Sequence, residues 1–122
     1  MADSTDELLK KKCVPCEGGV APLSRENAQG YLAGLKEWAL SEDGKAIRCQ
    51  YVMKDFMTAV ELINRIAEIA EAEDHHPDVH LTGYRKLAVE LSTHAIDGLS
   101  LNDFILAAKI DRLPKQLKQL KK

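Results

Sequence analysis

Apolar residues recur along the chain with two different periods, and the helical period predicts three helices. The longest such pattern starts after Asp55 and predicts an amphipathic helix of about five turns. It must end before Pro77, because proline disfavours helical geometry in the residue before it. A second pattern predicts a helix over residues 25–36 with Ser24 as its N-cap. A third begins at the capping-box sequence of Ser100 and runs to residue 113.

Two stretches of alternating apolar and polar residues lie between these helices, and each predicts a β-hairpin. The first flanks Asp43-Gly44, a dipeptide typical of tight hairpin turns, and the second flanks Gly83. The order of elements is therefore α-β-β-α-β-β-α. This order predicts an α+β fold, in which three helices pack on one face of a four-stranded antiparallel sheet.

Composition indicates one soluble domain. The chain has 122 residues, of which 45% are hydrophobic and 30% charged, and its net charge is −2. We predict a flexible leader over residues 1–22, a single domain over 23–113 and a basic tail over 114–122. No stretch approaches the roughly 18 apolar residues of a membrane span, and the acidic start lacks a secretion signal. We therefore expect a cytoplasmic protein without membrane contact. An organellar location is the alternative, because a targeting segment that has been removed leaves no trace in the sequence.

The tail is rich in lysine and has leucines at helical spacing. Leu113, Leu117 and Leu120 would extend the last helix. A basic tail of this kind has two interpretations, a surface for nucleic acid or membrane and a solvated chain end. The solvated end is favoured because the protein as a whole is weakly acidic, so we expect no direct contact with nucleic acid.

Three cysteines leave metal or redox chemistry open as a minor alternative. Their number is odd, so Cys13, Cys16 and Cys49 do not form a disulfide framework. The first two form a C-x-x-C motif, which would supply half of a zinc site or a redox pair. A zinc ribbon needs a second such pair, and thioredoxin-like motifs lie between a strand and a helix. A structural or incidental role is therefore favoured.

All four histidines lie within one short stretch, from His75 to His94. Glu71 precedes His75 by four residues, a helical spacing that places a carboxylate beside an imidazole. Such a carboxylate fixes the tautomer of the ring. His76 follows at the corner between the long helix and the next strand, and His94 ends the last strand. We expect the hairpin between them to bring His94 towards the other two.

A cluster of three histidines has three interpretations. The first is proton transfer near neutral pH by His75, His76 and His94. The second is a zinc site, which needs three ligands and an open position, and the third is a structural role. His80 is expected to be exposed or to pack within the hairpin. Asp103 is either a plain capping acid of the last helix or a functional one.

One multi-part motif connects these residues. It reads Glu71-x-x-x-His75-His76-Pro77, followed by Tyr84, His94 and Asp103. This pattern resembles the signature of the pterin-4a-carbinolamine dehydratases, and the resemblance covers about residues 22–113. Further agreement comes from Trp38-x-Leu40, Lys54-Asp55-Phe56, Ser92-Thr93 and Gly98-Leu99-Ser100. The leader and residues 102–110 look closest to plant and protist members.

The resemblance implies a fold and a reaction. The family's fold is a four-stranded antiparallel sheet with helices on one side. Its members remove water from 4a-hydroxytetrahydropterin to give quinonoid dihydropterin, which recycles the pterin after aromatic amino-acid hydroxylases have used it, and they need no metal and no cofactor. By resemblance, His75 and His94 are the general acid and base, and His76 mainly binds the pterin. The resemblance assigns the remaining site residues to lining the pocket (Asp74, Ser92, Thr93) or to support (Glu71, Asp103).

The resemblance also suggests partners other than the substrate. Family members form dimers and tetramers, so we expect a homodimer or homotetramer. Animal members also bind a homeodomain transcription factor, through a surface of the long helix, so a protein-interaction module is the alternative function. Relatives that act in Rubisco assembly have lost the histidines. This chain keeps all three, which argues against that class.

Overall fold

The computed structural model describes residues 5–13 and 21–118. The helices there are α1 (Thr5–Lys10), α2 (Arg25–Leu32), α3 (Phe56–Glu73) and α4 (Leu101–Asp111). The strands are β1 (Trp38–Leu40), β2 (Ile47–Val52), β3 (Asp78–Thr82) and β4 (Lys86–Leu91), and a 3-10 turn spans His94–Ile96. None of the helices in these two ranges is long and apolar enough to cross a membrane.

The four strands form one antiparallel sheet in the order β1-β2-β4-β3. Residues directly opposite each other point to the same face, and Ile47 lies opposite Leu91 while Cys49 lies opposite Val89. These side chains are buried, and they form the core together with apolar residues of the helices. The α+β fold with a four-stranded antiparallel sheet is therefore confirmed.

Local sequence signals set both ends of α3. The Asp55 carboxylate accepts a hydrogen bond from the Thr58 backbone N–H, and the Thr58 hydroxyl accepts one from Asp55 N–H, which closes a capping box. At the other end Asp74 adopts a left-handed conformation with φ 52°, and His75 N–H donates to Ala70 O. This is a Schellman ending, so α3 stops at Glu73, before the geometry of Pro77 can matter.

Three boundaries differ from the prediction because tertiary contacts override the local pattern. Helix α2 ends at Leu32, two residues before Gly34, and the chain then turns so that Leu35 enters the core. The leader contains α1, whose Leu8 is fully buried and which packs on α4. Strand β4 ends at Leu91, so His94 begins the 3-10 turn and is not part of the strand.

The tail does not extend α4, although the spacing of its leucines predicted that it would. The Lys115 ammonium donates to the carbonyl oxygens of Ile110, Asp111 and Leu113, which closes the end of α4. Leu117 then forms an antiparallel bridge with Met53. The chain after Pro114 therefore runs beside the end of β2; Leu120 and the last two lysines lie outside the described residues.

Candidate active site

The Schellman turn at Asp74 directs His75 towards α4. Its Nε2 lies 2.6 Å from Oδ1 of Asp103, and the two side chains are only 12% and 0% exposed. A carboxylate can only accept a hydrogen bond, so Nε2 of His75 carries the proton of this contact. The pair therefore joins the end of α3 to the start of α4 and fixes the imidazole in one orientation.

Asp103 is both the capping acid and the partner of His75. Its Oδ2 accepts a hydrogen bond from Ser100 N–H at 3.0 Å, as expected for the N-terminal turn of α4. The same oxygen accepts from the Thr93 hydroxyl at 2.8 Å, and that hydroxyl lies 2.7 Å from the hydroxyl of Ser100. One carboxylate oxygen of Asp103 thus serves the helix cap, while the other contacts His75.

Glu71 contacts His76 and not His75, which corrects the contact expected from helical spacing. Its Oε2 lies 2.5 Å from Nε2 of His76, at an exposed position. The reason is the left-handed Asp74, which turns His75 inward and leaves His76 on the outside next to the last turn of α3. His76, Glu71 and Pro77 line a mainly apolar cavity of about 240 Å³ between α3 and β3.

His94 is exposed and lies on the rim of a different cleft, of about 260 Å³. This volume is close to the ~300 Å³ lower end of small-molecule sites. Ser92, Thr93 and Glu90 line the cleft from the β4 side. His94 follows the end of β4, so alternation along the strand does not assign it to a face of the sheet.

The turn between β1 and β2 completes this cleft, and the sequence pattern did not reveal it. Ser41, Asp43 and Lys45 line the same cleft as Ser92, and Lys45 forms a 2.9 Å ion pair with Asp97. Hydrogen bonds from the Ser41 hydroxyl and from Lys45 N–H hold the pKa of Asp43 below its usual range. The Asp43-Gly44 dipeptide predicted the turn itself. The position of that turn beside Ser92 depends on the pairing of β2 with β4, which periodicity does not predict.

The structure thus brings the predicted site residues together only in part. His75, Asp103 and Thr93 form one hydrogen-bonded group, and Thr93 also lines the cleft with His94. His76 lines the separate cavity at α3, whereas His94 lines the cleft near β4. Asp74 is exposed at the turn before His75. His80 is exposed as well, on the polar face of the sheet opposite Ala88.

The thiols of Cys13 and Cys49 make no contact with these side chains in the described hydrogen bonds, although the Cys13 thiol donates to Asn102 O, next to Asp103. Burial raises the pKa of the Cys49 thiol to about 12, and burial together with the nearby Glu73 carboxylate does the same for Cys13. Thiols of this kind are poor metal ligands and nucleophiles. Cys16 lies outside the described residues, and within the described ranges no three His, Cys, Asp or Glu side chains are grouped to hold a metal ion.

Comparison with known proteins identifies the family. A model of the family described as "Pterin 4 alpha carbinolamine dehydratase" matches residues 21–113. The chain belongs to this family. A relative from Halorhodospira halophila, assigned as a pterin-4-alpha-carbinolamine dehydratase, is 49% identical over 87% of this chain and 96% of its own. The mitochondrial pterin-4-alpha-carbinolamine dehydratase 2 of Arabidopsis thaliana is 41% identical over 90% of this chain and 60% of its own. The expected likeness to plant members is therefore present, but lower than that to the bacterial relative.

A solved structure supports the same assignment. The crystal structure of a transcriptional coactivator/pterin dehydratase from Brucella melitensis superposes with a TM-score of 0.69 at 30% identity, covering 74% of this chain and 95% of that one. Family members are named as dehydratases of pterin carbinolamines, so the dehydratase family predicted from the histidine motif is confirmed.

Proposed function

We propose that this protein removes water from 4a-hydroxytetrahydropterin to give quinonoid dihydropterin, and that His75 and His94 transfer the protons. The family match supports the reaction. The observation that carries the catalytic roles is the 2.6 Å contact between His75 Nε2 and the buried Asp103 carboxylate. A carboxylate that orients a histidine in this way is typical of histidines that accept a proton during catalysis.

The reaction requires one proton donor and one proton acceptor. The C4a–O bond breaks and its electron pair leaves with the hydroxyl oxygen, which needs a proton to depart as water. A ring nitrogen supplies the electron pair for the new double bond to C4a, and that nitrogen gives up its proton. No electrons pass to or from another molecule, so two histidines of suitable geometry are sufficient.

We assign the base to His75 and the acid to His94. Because Asp103 occupies Nε2 of His75, Nδ1 is the nitrogen that accepts the proton from the pterin ring. Asp103 remains its hydrogen-bond partner when the ring carries both protons. His94 lies at the exposed rim of the cleft, where it delivers a proton to the leaving hydroxyl and regains one from water.

The cleft of His94 supplies polar groups suited to a pterin ring. Ser92, Asp43 and Lys45 offer a hydroxyl, a carboxylate and an ammonium around its opening. The assignment of Ser92 to substrate binding is kept on this ground. The binding roles of His76 and Asp74, the oligomeric state, a protein partner and the cellular compartment stay predictions.

Substitution of the histidines tests this proposal. We expect His75→Ala and His94→Ala each to lower kcat for dehydration of a 4a-hydroxytetrahydropterin by roughly 10²–10⁴-fold, the usual contribution of a general acid or base. The rate is measured above the spontaneous dehydration of the substrate. His80→Ala, the exposed histidine of the same hairpin, is the matched control and should retain full activity.

A second variant separates loss of catalysis from loss of fold. His75→Gln places its amide N–H where Nε2 of the imidazole lies, so it keeps a hydrogen-bond donor for Asp103 but has no basic nitrogen. Circular dichroism reports whether each variant remains folded. Full activity in a folded His75→Gln or His94→Ala variant would contradict the assigned roles.

A further inference from the structure

A basic pocket lies at the end of the molecule opposite the histidines. Its lining residues are Lys54, Arg85, Gln116, Leu117 and Lys118, and its volume is about 720 Å³. It is built by the start of α3, the turn between β3 and β4, and the tail. His75 follows the other end of α3, a helix about 27 Å long, so this pocket is separate from the proposed dehydratase site.

The cationic residues of the tail differ in their contacts. Arg112 forms an ion pair with Asp6, and Lys115 is held by the carbonyl oxygens at the end of α4. Lys118 is exposed, and its backbone N–H donates to Val52 O, which fixes the segment beside β2. Its side chain lies at the pocket, which Lys54 and Arg85 also line.

Arg85 is held in place at the pocket. Its guanidinium donates to Lys54 O and lies over the Tyr84 ring, 4.9 Å from the ring centroid. Its Nε is buried and has no hydrogen-bond partner among the described residues. A buried guanidinium N–H without an acceptor is unusual, and the charged guanidinium of Arg85, which lines the pocket, is a strong donor to anions.

The charges around the pocket favour a doubly charged anion. Lys54, Arg85 and Lys118 form no ion pair within the described parts of the chain. The carboxylate of Asp55 interacts with two of these cations, but it is already engaged by Thr58, whose bonds, with smaller contributions from Lys54 and Arg85, lower its pKa. The three cations and the Asp55 carboxylate together carry a net charge of about +2. This charge matches a phosphate dianion better than a singly charged carboxylate ligand.

We propose that the pocket formed by Lys54, Arg85 and Lys118 binds a phosphate group. The three cations come from three separate segments and approach the pocket from different sides. A tetrahedral anion with several acceptor oxygens is suited to such an arrangement. The phosphate is either a free anion or part of a larger molecule whose apolar portion contacts Leu117 and the exposed ring of Tyr84.

Amide chemical shifts of the full-length protein measure this binding. Titration with inorganic phosphate and, separately, with phenyl phosphate should produce saturable shifts at residues 54, 85 and 118. Tighter binding of phenyl phosphate indicates that the phosphate belongs to a larger molecule, and equal binding indicates the free anion. Acetate at the same ionic strength should produce no saturable shift there.

Charge-neutral variants locate the site. The double variant Lys54→Gln, Lys118→Gln should weaken phosphate binding by at least about tenfold, because two charge-assisted contacts are lost. Lys86→Gln removes one charge from the exposed neighbour of Arg85 outside the pocket lining and should change the affinity less than twofold. The double variant should retain dehydratase activity. Non-saturable shifts, equal binding of acetate, or equal affinities of the double variant and Lys86→Gln would overturn the proposal.

Discussion

The orientation of His75 depends on the buried carboxylate of Asp103, and Thr93 in turn holds that carboxylate. The Thr93 hydroxyl donates to Asp103 Oδ2 and lies within hydrogen-bond distance of the Ser100 hydroxyl, and the residue is only 4% exposed. A hydroxyl so engaged is poorly placed to bind substrate, which was its expected role. We therefore interpret Thr93 as a positioning residue that holds Asp103, and through it His75.

Substitution of Thr93 tests this interpretation. Thr93→Val preserves the shape of the side chain but removes a hydrogen bond to a charged group, worth about 1.5–3 kcal/mol. We expect kcat to fall roughly tenfold or more with little change in KM, because the carboxylate loses a donor while the cleft keeps its shape. Thr93→Ser restores the hydroxyl and should recover most of the rate in steady-state assays. A rise in KM with unchanged kcat for Thr93→Val would instead indicate direct contact with the substrate.

Helix α1 shows how an element forms without a strong local signal. It has only six residues, fewer than an isolated helix needs to be stable in water. Its stability therefore depends on packing, chiefly through Leu8, which is fully buried in the core against α4. Ionic contact between Asp6 and Arg112 adds little, because both side chains are exposed.

Removal of this apolar contact should destabilise the whole domain. We expect Leu8→Ala to lower the free energy of unfolding by about 2–5 kcal/mol, since the substitution leaves a cavity in the core. Urea denaturation followed by circular dichroism measures the change. Leu117→Ala is the matched control, because Leu117 is 47% exposed, and it should change the free energy by less than about 0.5 kcal/mol. Equal effects of the two substitutions would show that α1 does not contribute to the stability of the domain.

The elements that the sequence predicted well are those whose signals are local. Asp55 and Ser100 start α3 and α4 as expected, since caps act within four residues. The end of α3 at Asp74 was not expected, because nothing in the residue type alone distinguishes a left-handed aspartate from one in the last helical turn. Strand order and the tail's position beside Met53 depend on contacts distant in sequence.

For the candidate site, the sequence likewise predicted individual residues but not which of them contact each other. The motif contained both His75 and Asp103, but their direct contact joins residues 28 apart in sequence. Periodicity favoured Glu71 as the partner of His75, and the turn at Asp74 reversed that choice. The contribution of Asp43 and Lys45 to the cleft follows from sheet order, so it became visible only in the structure.

At the scale of the whole molecule, Glu73 joins three parts of the chain. Its Oε1 accepts a hydrogen bond from Cys13 N–H at 2.7 Å, which fixes the segment after α1. Its Oε2 accepts from the Lys109 ammonium of α4 at 2.8 Å, and the Glu73 side chain is only 7% exposed. Burial alone would raise the pKa of this carboxyl, but the hydrogen bonds from Lys109 and Cys13 outweigh burial, so its pKa lies below the usual 4.5.

The direction of this shift predicts how stability changes with pH. A carboxyl whose pKa is lower in the folded protein contributes stability above its unfolded value, and that contribution is lost as the pH falls through the folded pKa. At pH 7, Glu73→Gln should therefore lower the free energy of unfolding by about 1–3 kcal/mol. The difference from the unsubstituted protein should shrink progressively as the pH falls below about 4.5. Urea denaturation of both proteins at pH 7, 5, 4 and 3 measures it. Glu61→Gln, at an exposed position of the same helix, should change the free energy by less than about 0.5 kcal/mol at pH 7. A difference for Glu73→Gln that stays constant down to pH 3 would show that the charge of this carboxylate does not hold the three segments together.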